Sequence, residues 1–322
     1  MEKRVLKPYH GLIFFVIIVL ALMFPGAYMQ TYWGTFGLAA SEIMFLLLSL
    51  LYVLLLRGDF KTVFPLKKPK IISIMGTVLL WIGTILMVMV LTMILMCLFP
   101  QQMLETSQNL NDAFSQMPVF TQIIVTALLP AICEEAAHRG VIQNSFMTIS
   151  NKWVVIIGVG ILFGANHLSI WRFVPTAVLG IALAYVLYET GNIFYSMLFH
   201  FLNNAFSVAS TASSTVSIED TFAQIDGLSN YTDLGVQLLS QRSVWVIALG
   251  AVMMLACAAP FLICLSTYLV RLGKENAQEV TLFPKKHRGL AIGLLIAISA
   301  ILLVGGLVMI ILGTAFTAKS LL

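Results

Sequence analysis

Two adjacent glutamates and an arginine, Glu134, Glu135 and Arg139, stand in the stretch PAICEEAAHRG (Pro130–Gly140), inside a run otherwise apolar enough to cross a membrane. An ionised side chain in hydrocarbon is costly unless it faces water, pairs with another group or binds a cation, so these residues mark a functional site. Two later apolar runs hold further candidates: His167 in FGANH, and His200 with Asn204 in HFLNN. Each motif has i, i+4 spacing, which stacks its side chains on one helical face. Glu134 and His138 then share a face, and Glu135 and Arg139 share the neighbouring one. An intrahelical Glu135–Arg139 ion pair leaves Glu134 as the carboxylate free for chemistry. Pro130, one turn earlier, removes a backbone hydrogen bond and is expected to kink the span and admit water.

These groups can be assembled into a peptide hydrolase. Glu134 would act as general base toward a water. His167 would hold or polarise that water, while His200 and Asn204 would face the carbonyl, Asn204 donating to the developing oxyanion. A metal version is equally drawable: Glu134, His167 and His200 form a His₂Glu set with an open position, the pattern of catalytic zinc, although no HExxH is present. No serine or cysteine is placed as a nucleophile, since Cys133 adjoins Glu134 but points about 100° away on the helix.

The elements that would position such a site are membrane spans. Of 322 residues, 60% are hydrophobic and only 10% are charged, which excludes an ordinary soluble domain. The net charge of +4 comes from Lys and Arg bunched between apolar runs, which reports topology rather than a nucleic-acid partner. The four cysteines lie in apolar segments without CxxC spacing, as buried thiols would. The expected fold is an all-α polytopic bundle of about nine spans, a single integral membrane domain over 1–322, in the cell membrane. Spans fall at about 11–30, 35–56, 71–98, 118–146, 153–170, 173–188, 193–212, 244–270 and 289–316. Basic connections (Arg57 to Lys70, Lys152, Arg271 to Arg288) put the amino terminus in the cytoplasm and the carboxyl terminus outside. Loop 99–117 and the loop ending at Ser240, with Asp226 and Asp233, are acidic and expected outside, the first as an interfacial helix. Gly160 and Gly164 form a small-xxx-small pair that lets a neighbouring helix approach. Glu134, His167 and His200 come out in the middle or inner half of the bilayer, with Gln143 and Asn144 below them toward the cytoplasm.

With those residues in view, the chain resembles the CAAX protease and bacteriocin-processing (Abi) family of intramembrane metalloproteases, whose motifs are EExxxR, FxxxH and HxxxN. Here they stand as Glu134, Glu135 and Arg139; Phe163 and His167; and His200 and Asn204. Order and spacing agree over a core of about 118–210. The resemblance implies that Glu134 activates water with His167, His200 and Asn204 as partners, Glu135 and Arg139 supporting. It departs at His138, where the family carries an aromatic residue before the arginine. It implies a peptide or lipid-anchored protein substrate, including prenylated CAAX proteins, and a divalent metal such as zinc as one form of the mechanism.

Other readings exist for the same residues. The charged trio could be a packing device, Phe163 a packing residue, and Glu42 in span two a structural carboxylate. His10 and His287 read as solvated. A proton- or cation-coupled transporter and a non-proteolytic immunity protein are the alternatives to a peptidase. Substrate sequence and oligomeric state have no signature.

Overall fold

Backbone groups in hydrocarbon must be satisfied within their own segment, and among the described residues every regular element is helical. The computed structural model describes residues 4–115, 117–223, 242–274, 280–283 and 288–320. In order, the helices are α1 (Pro8–Ala21), α2 (Ala27–Leu55), α3 (Phe60–Val63), α4 (Ile71–Leu98), α5 (Pro100–Ser115), α6 (Val119–Gln122) and α7 (Leu129–Glu135). They continue as α8 (Asn144–Phe146), α9 (Lys152–Asn166), α10 (Ile170–Thr190), α11 (Ile193–Ala223), α12 (Arg242–Ala256), α13 (Ala259–Leu272) and α14 (Arg288–Ser320). Three segments, Leu22–Gly26, Ile123–Leu128 and Ala136–Gln143, are π-helical and continuous with their neighbours. Asp226, Asp233, Lys285, Lys286 and His287 lie outside the described residues.

Six helical stretches among the described residues are long and apolar enough to cross a membrane: Pro8–Leu55, Ile71–Leu98, Val119–Phe146, Ile170–Thr190, Ser243–Leu272 and Arg288–Thr317. The chain is a multi-pass membrane protein. The first stretch, at 48 residues, far exceeds one crossing and is broken at Gly34 (φ 54°, ψ −127°), a conformation suited to glycine. There the chain reverses, so that Gly37 sits against the Met29 carbonyl and Tyr52 Oη donates to His10 O at 2.9 Å. The predicted boundary between spans one and two falls at this reversal. Predicted spans five and seven correspond to α9, with 15 residues, and α11, with 31, which are not among the six. The loop read as an interfacial helix is helical as α5.

The described residues fall into two compact units. One comprises Met1–Trp81, Met117–Val208 and Ser266–Val280, and the other Ile82–Gln116, Ala209–Leu265 and Thr281–Leu322. In the second, α12 and α14 meet at small residues: a Cβ on Gly250 or Gly306 would run into the facing backbone. All three motifs belong to the first unit. Its core joins Phe14 and Ile18 of α1, Phe45 and Val53 of α2, Cys133, Ala137 and Val141 of the motif span, and Val155 and Val159 of α9. The motif span is therefore the central element, wrapped by α1, α2, α9 and α10.

The break expected at Pro130 takes the form of π-helical backbone over Ile123–Leu128, immediately before Leu129 and Pro130. The wider turn accommodates the carbonyls that a proline cannot serve. The second π segment of this span, Ala136–Gln143, carries His138 and Arg139. The first turn of α11 is tied to the extended stretch 65–70, with Asn192 Nδ2 donating to Lys67 O (2.9 Å) and Lys70 N–H donating to Tyr195 Oη (2.7 Å).

Candidate active site

The frame of the site is an antiparallel pair, α9 and α10, in near backbone contact. A Cβ on Gly160 would strike the backbone of Ile181, one on Gly164 would strike Phe173 O and Ala177, and one on Gly180 would strike Gly160 O. The close approach expected at Gly160 and Gly164 is thus made by α10. The connecting turn is tight: His167 caps the C-terminus of α9 and Leu168 adopts φ 51°, left-handed and unfavourable for a residue with a branched side chain. His167 Nδ1 lies 2.9 Å from Phe163 O; a carbonyl only accepts, so Nδ1–H donates and Nε2 carries a lone pair.

Against this pair lies the motif span. Glu135 and Arg139 are fully buried, with Arg139 Nη1 3.2 Å from Glu135 Oε1, the ion pair expected from their spacing. Arg139 Nη2 donates to Gly180 O at 3.3 Å, and one turn on Gln143 Nε2 donates to Ala184 O at 2.8 Å. Those two bonds lace the motif span to α10. Of the polar residues below the site, Gln143 is buried as a tether, and Asn144, half-buried, donates Nδ2–H to Thr62 O (2.9 Å).

Glu135 reaches a second partner. His200 Nδ1 is 2.9 Å from Glu135 Oε1, the oxygen that Arg139 also approaches; with the carboxylate accepting, the ring donates Nδ1–H, and in the neutral imidazole Nε2 is then the acceptor. On its far side, Nε2 lies 4.0 Å from Glu134 Oε2, and that oxygen has no hydrogen-bond partner in the protein. Two acceptors at that separation can share one water lying off the line between them, each contact about 2.8 Å and the angle at the water about 90°.

Phe163 organises the remaining rings. Its ring makes edge contacts with His138 (5.1 Å), His167 (5.1 Å) and His200 (5.7 Å), and Arg139 Cζ stacks over it at 4.4 Å. Sequence reasoning gave this residue only a packing role; its i, i+4 partnership with His167 was the visible signal, and its contacts to the other two motifs were not. His138 is buried with Nδ1 donating to Glu134 O at 3.1 Å, which stiffens the backbone that carries the proposed base. Asn204, one turn beyond His200, accepts from Asn203 Nδ2 at 3.2 Å and makes no hydrogen bond to Glu134 or to either histidine.

Glu42 of α2, a helix that shares the core with the motif span, is buried with Oε2 unpartnered. It has no motif in sequence. The expected metal set fares differently from the hydrogen-bonded one. Among the described residues no group of three or more His, Cys, Asp or Glu side chains gathers as a metal site would.

Residues 116–206 match the family model of Rce1-like proteins, type II CAAX prenyl endopeptidase Rce1-like. The matched segment contains every residue of the three motifs and agrees with the resemblance drawn from them. It spans under a third of the chain. No curated protein and no solved structure matches the chain.

Proposed function

We propose that the protein is an intramembrane endopeptidase of the CAAX-protease kind, in which a water held between Glu134 and His200 attacks a peptide carbonyl near the cytoplasmic face. The observation that carries this reading is the unpartnered Glu134 Oε2 facing His200 Nε2 across 4.0 Å, while Glu135 and Arg139 hold the histidine ring in place. The water donates one proton to Glu134 and the other, as a hydrogen bond, to Nε2. Its oxygen lone pair attacks the carbonyl carbon. Asn204 Oδ1 is occupied by Asn203, which leaves the Asn204 amide N–H groups to donate to the oxyanion. Collapse breaks the C–N bond, and the proton on Glu134 passes to the leaving amine. His167, with its free Nε2, would orient the peptide or a second water.

No step is given to a metal ion. Dialysis against a strong chelator tests that choice: turnover lost and restored by zinc would assign Glu134, His167 and His200 to an ion after local rearrangement. The finer topology, nine crossings with a cytoplasmic amino terminus and an outside carboxyl terminus, belongs to the same proposal and would open the site to the cytoplasm.

The family description points to prenylated substrates, and the bilayer setting suits a lipid-anchored protein. The test is a purified protein in detergent with a quenched fluorescent peptide carrying a prenylated cysteine followed by two aliphatic residues and a terminal residue. Cleavage after the cysteine that disappears in Glu134→Gln is the expected result. Undiminished cleavage in that variant, or none by the wild type, rejects the reading.

A further inference from the structure

We infer that the segment joining α2 to α4 is a strap whose lysines bind the anionic headgroups of the adjoining lipid leaflet, and that this contact helps secure the motif span to α11. Such binding is independent of the peptidase reading. The segment is fastened to both elements. On the motif span, Asn144 Nδ2 donates to Thr62 O at 2.9 Å, and the Phe64 ring lies so close to Gly140 that a Cβ there would strike it. On the α11 side, Ile193 N–H donates to Pro65 O (2.8 Å), Asn192 exchanges two hydrogen bonds with the Lys67 backbone (3.2 and 2.9 Å), and Lys70 N–H donates to Tyr195 Oη. Glu135 and His200 come from these two elements, so the strap spans helices whose side chains meet in the site.

Its outward side is basic and without counterions. Lys61, Lys67, Lys68 and Lys70 are exposed, and none forms a salt bridge among the described residues. Asp59, the one acid between residues 57 and 70, accepts from Thr62 Oγ1 at 2.7 Å. Glu189, two residues before the Gly191 beside which Lys67 Nζ lies, is met by Lys152 at 3.0 Å. A bias toward lysine explains the sign of such a connection but not its fastening, which holds the cations at set positions. Connectivity puts them at the bilayer surface, because α2 and α4 on either side belong to apolar stretches long enough to cross it. Leu66 (69% exposed) and Ile71 (77% exposed) stand among the lysines. Apolar side chains that can enter the acyl boundary beside ammonium groups at phosphate level match a phospholipid surface better than an acidic protein chain.

The experiment titrates the full chain in detergent with phosphatidylglycerol or phosphatidylcholine and reads lipid binding by native mass spectrometry. Wild type is expected to bind phosphatidylglycerol about ten-fold more tightly or better. In the triple variant Lys67→Gln, Lys68→Gln, Lys70→Gln the two lipids should differ by less than about two-fold, and the matching triple Arg variant should keep the preference. Phosphatidylglycerol should also raise the melting temperature of wild type and not of the Gln variant. Equal affinity of wild type for both lipids, or an undiminished preference in the Gln variant, overturns the inference. So does an equal loss in Lys274→Gln with Arg288→Gln, which would show a response to net charge alone. Binding that leaves melting unchanged rejects the securing role. Should the triple variant fail to elute as a monodisperse protein, Lys68→Glu decides: it should cut the preference about five-fold or more, and an unchanged preference rejects the strap as the site. Capture of a polyglutamate peptide by a wild type indifferent to the lipid headgroup would assign the surface to an acidic protein instead.

Discussion

Glu134 and Glu135 are neighbours in sequence and opposites in role. Glu135 is fully enclosed and shared between Arg139 and His200, while Glu134 keeps an oxygen without a protein partner. Removing one member of a buried ion pair strands the other, so Glu135→Ala is expected to cost about 3–5 kcal/mol in unfolding measurements, whereas Glu134→Gln should cost no more than about 1 kcal/mol. Activity should follow the reverse logic. Glu134→Gln loses about 10²- to 10⁴-fold in kcat while folding normally, as expected for loss of a general base. Replacing the pair together, Glu135→Leu with Arg139→Met, is expected to recover much of the stability and none of the activity, because His200 then loses the acceptor that fixes its tautomer. Melting curves and turnover on the same preparations check all three. The Glu135–Arg139 pair was legible because its partners lie one turn apart on one face of one helical segment. The His200–Glu135 bond was not, since it joins residues 65 positions apart, and neither was the gathering of three histidines around Phe163.

At the level of elements, hydropathy located the helices but could not report how their backbones turn. A helical wheel drawn at constant pitch places Glu134 and His138 on one face, yet from Ala136 onward the backbone is π-helical, and His138 turns its Nδ1–H to the Glu134 carbonyl. The small residues, by contrast, told the truth from sequence because their signal is steric. Gly160→Val is expected to cost about 1–3 kcal/mol by forcing α9 off Ile181, and to reduce turnover as Phe163 and His167 move with it. A Gly160→Val variant with wild-type melting and activity would sink that account. Leu168 offers the opposite test. Its left-handed backbone and exposed side chain mean that Leu168→Gly should raise unfolding free energy by about 1 kcal/mol, and a loss of stability would show that the side chain contributes packing the strained turn depends on.

For the whole molecule, membrane character follows from composition alone, and the count of crossings does not. Two of the nine predicted spans share one 48-residue helical stretch that only the backbone at Gly34 divides, and α9 has 15 residues, short for ~30 Å of hydrocarbon. Single-cysteine labelling with a membrane-impermeant reagent from outside intact cells checks the orientation: positions near residue 320 are expected to react, and positions in 57–70 are expected not to. Reaction of the basic connection would reverse the topology. The family match covers the motif-bearing segment, and the second compact unit carries no motif that sequence could assign.

The Glu135–Arg139 pair also bears on biogenesis. Each charge alone would add about 2.5–3.5 kcal/mol to inserting its helix at the bilayer centre. Because the anion and cation lie on consecutive turns of one segment, that helix carries its own counterion into lipid and can enter before any neighbour is present. His200, Gly180 and Phe163 come from segments synthesised later, so the reactive arrangement is completed last, by docking, after the most polar stretch of the chain is already in the membrane.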